Sequence, residues 1–73
     1  MSLEQQVLCE CYNNYQKGIV NTTLYYKNFA ANKIMHSLLL HLENEGVIDI
    51  HRRGTGMAIC SLTDYGIAYY ESY

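Results

Sequence analysis

The sequence predicts an α+β domain, and three observations carry that expectation. Apolar side chains recur at helical spacing through much of residues 3–45. After Gly46 the period drops from 3.6 to 2 over two short runs, and Thr63 then opens a last helical stretch. The chain has 73 residues, which is one domain, 1–73, with no room for a second.

The first helix is predicted from about Leu3 to Tyr15. Leu3, Val7, Leu8, Cys11 and Tyr15 form its apolar stripe, and Ser2 is available to cap it. Gly18 is the natural residue past its end. Asn21, Thr22 and Thr23 offer caps for a short second helix through Leu24 to about Asn28. A third helix is expected from Asn32, as N-cap, to Glu45, burying Met35, Leu38, Leu39 and Leu42. Its other face carries Lys33, His36, Ser37, Leu40, His41 and Asn44, with Leu40 the one apolar member.

A β-hairpin follows over about Val47 to Leu62. Ile48 and Ile50 alternate with Asp49 and His51, and Ala58, Cys60 and Leu62 alternate with Met57, Ile59 and Ser61. Gly54-Thr55-Gly56 makes the turn. Thr63 caps the closing helix, and Asp64 suits the positive end of its dipole. Tyr65, Tyr69 and Tyr73 fall at i, i+4 and i+8 on that helix, on one stripe.

Composition narrows the function classes. Hydrophobic residues are 49% of the chain and charged residues 16%, with eight tyrosines, a balance that favours a surface partly covered by a partner. A domain this small buries only about 60% of its unfolded surface, and dimerisation is a common remedy. Leu3 and Val7 of the first helix and Tyr65, Tyr69 and Tyr73 of the last are the expected homodimer contacts. No apolar run approaches the ~20 residues that span a bilayer, and no export signal opens the chain, so it reads as cytoplasmic. Cys9, Cys11 and Cys60 have no paired spacing and are expected as free thiols. His36 and His41 are five apart, which argues against a two-histidine metal pair. His51 and Cys60 face across the hairpin without the further ligands a metal needs. Gly54-x-Gly56 joins two strands instead of opening a helix, so it is no phosphate loop. No nucleophile–base or carboxylate pair is suggested by spacing. The expectation is a non-enzyme without cofactor or metal.

Residues "LLLHLENEGVIDI" and "GMAICSLTDYG" resemble the end of a winged helix-turn-helix domain of the MarR or PadR kind. Leu42, Glu43, Gly46, Val47 and Ile48 match that family's close of the recognition helix. Leu62, Thr63 and Gly66 match its Leu-Thr-x-x-Gly after the second wing strand. The resemblance implies three N-terminal helices, a helix-turn-helix at about 22–45, a two-stranded wing at about 47–62 and a short C-terminal helix. It also implies double-stranded DNA as the partner.

Charge placement points the same way. The net charge is −2, but residues 11–42 and 50–63 contain no acid and hold all five basic residues and all three histidines. Segregation of this kind is the footprint of a phosphate-facing surface. The DNA-binding candidates are therefore Lys27, Asn32, Lys33, His36, Ser37 and His41 from the helical part and Arg52, Arg53 and Thr55 from the wing. The chain reads as a small dimeric transcriptional regulator with no small-molecule effector evident. The rival is a winged-helix protein-interaction module, in which Leu40 and the tyrosine stripe meet another protein and DNA has no part.

Overall fold

The structure, a computed structural model, describes residues 2–26 and 29–72, with the side chains of 29–31 outside the description. Six elements follow in order: α1 (Leu3–Gln16), β1 (Thr22–Tyr25), α2 (Phe29–Asn44), β2 (Ile48–Gly54), β3 (Met57–Leu62) and α3 (Asp64–Glu71). The strands form one antiparallel sheet in the order β1-β3-β2. The architecture is thus α+β, with three helices and a three-stranded sheet.

Most local signals act as the sequence suggests. Ser2 accepts the Gln5 N–H while Gln5 reaches back to the Ser2 N–H, a reciprocal cap on α1. Gly18 and Gly46 adopt φ of +83° and +78°, conformations that cost glycine little, and there the chain leaves α1 and α2. The core gathers Val7, Leu8 and Cys11 of α1, Leu24 of β1, Leu39 and Leu42 of α2, then Val47, Ile48, Ala58 and Cys60. Met35, Leu38 and Leu62, expected inside, are half-buried and pack against it.

The second helix is corrected. Residues 22–25 are a strand paired in register with β3 (Thr22 opposite Cys60, Tyr25 opposite Met57), so the expected helix from Leu24 to about Asn28 is absent where described. Two threonines, a leucine and a tyrosine suit a pleated, half-buried surface better than an isolated helical turn. The cap signals at Asn21–Thr23 serve the strand instead, and buried Thr22 accepts from Asn14 Nδ2 at 3.1 Å. A helix-turn-helix over 22–45 with three N-terminal helices is therefore not what forms. Leu3–Gln16 and Phe29–Asn44 flank a strand, and the two-stranded wing is part of a three-stranded sheet. The long helix also starts at Phe29, four residues earlier than a cap at Asn32 implies, so Asn32 lies inside its first turn and does not cap it.

Two devices hold the second half together. Glu43 Oε2 accepts the Ile50 N–H at 3.1 Å, tying α2 to β2. Replacing Glu43 with Ala should cost about 1–2 kcal/mol in urea unfolding, because a part-buried donor loses its acceptor, and Gln should recover most of it. Thr63 caps α3 by accepting the Gly66 N–H at 2.8 Å, and its hydroxyl donates back to the Gly46 carbonyl.

The cysteines are free thiols, as expected, but two of them meet. Cys11 Sγ and Cys60 Sγ lie 3.8 Å apart in the core, whereas His51 Nε2 meets Ser61 Oγ at 2.8 Å and not Cys60. The hydrogen bond to Cys11 and burial push the Cys60 thiol above the usual range, which keeps it protonated. All three cysteines are free.

Candidate nucleic-acid interface

The wing is bent by one extra residue. Ile50 pairs with Cys60 but Arg52, not His51, pairs with Ile59, so His51 sits in a bulge. A bulge resets the alternation of faces. Arg53 then stands opposite Ala58, in the same cross-strand row as Leu24, and both of those neighbours are buried beneath the helices. Arg52 stands opposite Ile59 and Thr23 on the other face. The pleat splits the adjacent arginines between the two faces, and the bulge makes Arg53 the one on the helix side.

On the helix side, Arg53 meets α2. Its Nη1 lies 3.3 Å from His36 Nε2, within hydrogen-bond reach. Asn32, Lys33, His36, Arg53, Gly54 and Thr55 line an open cleft of about 580 Å³ between the first half of α2 and the wing turn. Among the described residues no lining side chain is acidic, and Lys33, Arg53 and Thr55 are exposed. The positive end of the α2 dipole lies at this end of the helix.

The structure thus brings together five of the nine candidates: Asn32, Lys33, His36, Arg53 and Thr55. Ser37 is exposed on the same helix, one step around from the cleft. His41 is not part of the group. It lies 4.0 Å from Glu45, and both line a smaller cleft of about 240 Å³ with Glu4, Tyr65 and Tyr69, where carboxylates replace cations. Lys27 lies outside the described residues. The sequence reading also missed Ile34, which is 60% exposed on α2 beside Lys33. Helical spacing does not single it out, because Ile34 lies four residues before Leu38, at the margin of the stripe of Met35, Leu38, Leu39 and Leu42.

The expected dimer contacts fare unevenly. Val7 is 2% exposed and belongs to its own chain's core, so it cannot serve a partner. Tyr69 is half-buried against that core and its hydroxyl donates to Glu4 at 3.3 Å. Leu3 and Tyr65 are exposed, and Tyr73 lies outside the described residues. Other tyrosines are used internally: Tyr12 packs on Tyr70 at 4.8 Å between ring centroids and donates to Glu71 at 2.5 Å, joining α1 to α3. Tyr26 is buried and donates to the Met57 carbonyl.

Among the described residues, no three or more His, Cys, Asp or Glu side chains are gathered to hold a metal ion. None of the described helices is long and apolar enough to cross a membrane. No protein-family model matches the chain, and no curated protein matches it.

Proposed function

We propose that this chain is a small non-enzymatic DNA-binding protein of winged-helix type, acting as a transcriptional regulator in the cytoplasm. The observation that carries the reading is the acid-free cleft in which Lys33, His36 and Arg53 converge between α2 and the wing turn. In this reading α2 alone is presented to the major groove, with no preceding helix across the backbone. Arg53 and Lys33 take phosphates flanking the groove, and Thr55 adds a hydroxyl donor. Asn32, His36 and Ser37 lie nearest base edges, where amide, imidazole and hydroxyl groups read donors and acceptors. The glutamates and aspartates stay clear of the cleft. Glu43 is engaged with β2, Glu45 with His41, Glu71 with Tyr12, and Asp49 stands opposite Ser61.

The second reading, a protein-interaction module, draws on exposed Ile34, an apolar side chain in the middle of the presented helix. Titrating the protein with random duplex DNA at two salt concentrations separates the two. DNA binding through Lys33 and Arg53 should give a log–log salt slope of roughly 2 per copy, at about 0.9 per neutralised phosphate. Absence of binding at low salt overturns the DNA reading and leaves the interaction module.

A further inference from the structure

The two edges of the sheet are guarded very differently. β2 carries Asp49, Arg52 and Arg53, is bent by the bulge at His51, and has its Ile50 N–H occupied by Glu43. Charges and bulges of this kind prevent another strand from adding to an edge. β1, the opposite edge, carries no charged residue over Thr22–Tyr25, and its register with β3 is unbroken. Residues 18–26, "GIVNTTLYY", contain no charge.

The same segment holds exposed apolar surface. Ile19, Val20 and Tyr25 are three of the seven exposed large hydrophobics among the described residues, and Val20 and Tyr25 are 71% and 74% exposed. A strand edge without charge, flanked by apolar side chains, is a template for β-pairing.

We propose that a second copy of the chain adds its own β1 to this edge, antiparallel about a two-fold axis, to form a continuous six-stranded sheet. Self-pairing suits the segment's charge. Each uncharged residue meets an uncharged residue of the other copy, so no like-charge pair arises within the ladder. The axis of such a pair runs perpendicular to the sheet, which is an isologous arrangement. It keeps the helices of both copies on one side of the sheet.

That geometry connects with the proposed DNA interface without depending on it. α2 packs on β2, the strand farthest from the axis. The two β2 strands would be five strand spacings apart, roughly 24 Å at about 4.8 Å each. Two clefts on one side of one sheet, separated by at least that distance, suit successive major grooves about 34 Å apart. A stable interface of about 800 Å² per partner would cover roughly one sixth of the 4695 Å² surface of the chain.

The test uses the whole chain without DNA, so its failure is distinct from failure of the DNA reading. Sedimentation equilibrium at high micromolar concentration should give 2 × 8.4 = 16.8 kDa. Hydrogen exchange at residues 22–25 should slow as protein concentration rises. The Val20→Glu, Tyr25→Glu double variant should sediment at 8.4 kDa with unchanged circular dichroism. Leu3→Glu with Tyr65→Glu should leave the dimer intact. A wild-type chain that stays monomeric overturns the proposal. So does a dimer whose concentration-dependent protection maps to Leu3 and Tyr65 instead of 22–25, a readout that needs no variant to fold.

Discussion

Gly66→Ala should destabilise the fold by at least about 3 kcal/mol, a fall in Tm of more than about 15 °C for a domain of this size. The expectation reverses the usual sign, because Gly→Ala within a helix ordinarily gains about 1 kcal/mol. Here a Cβ would stand 1.9 Å from the Val47 carbonyl oxygen, 2.9 Å from its carbon and 3.2 Å from Leu62 Cδ2. The obstruction is backbone, and it is held from several directions. The Val47 N–H bonds to the Leu42 carbonyl at 2.9 Å, the Val47 carbonyl accepts from Thr63 N at 3.1 Å, and Val47 itself is 1% exposed. Relief therefore requires α3 to lift off the β2–β3 junction, exposing part of the core. Gly46→Ala makes the control. Its Cβ would meet nothing within 4 Å, and only the φ of +78° resists it, so about 1 kcal/mol should be lost. Urea unfolding of both variants decides the matter. Equal, small losses would mean that α3 does not dock as described.

Arg53→Ala should weaken duplex DNA binding at least about tenfold at low salt and lower the salt slope by about one, while Arg52→Ala should do markedly less. Strand alternation alone puts these neighbours on opposite faces, but nothing in the sequence says which of them faces α2. The bulge at His51 decides it, placing Arg53 on the face of His36 and the α2 cleft and Arg52 on the opposite face. Lys33→Ala should resemble Arg53→Ala. His36→Ala should alter preference among sequences more than overall affinity, because the imidazole lies nearer the groove floor than the phosphates in the proposed pose. Fluorescence anisotropy with labelled duplexes at two salt concentrations measures all four. Equal losses for Arg52→Ala and Arg53→Ala would mean that the duplex straddles the wing tip, and the cleft would lose its role.

The features legible in the sequence are those governed by short-range physics. Gly18 and Gly46 end helices because the chain there needs positive φ. Ser2 and Thr63 start them because a side-chain oxygen can satisfy N–H groups three residues on. Leu39 and Leu42 face the core because helical spacing puts them on one stripe, and the hairpin shows in its period of 2. The acid-free segments were equally visible, since formal charge needs no coordinates. What the sequence could not determine rests on partners distant along the chain. Thr22–Tyr25 is a strand only because β3, more than thirty residues later, offers the backbone groups it pairs with, and local cap signals pointed to a helix. Cys11 and Cys60 become neighbours only when α1 crosses β3. Glu4 of α1 and Tyr65 and Tyr69 of α3 share a cleft with His41 and Glu45 only because the three helices meet there. The extra residue at His51 leaves no mark in an alternating pattern, yet it decides that Arg53 and not Arg52 shares the helix-covered face with Ala58, because a one-residue shift in pairing exchanges the two faces of every residue beyond it.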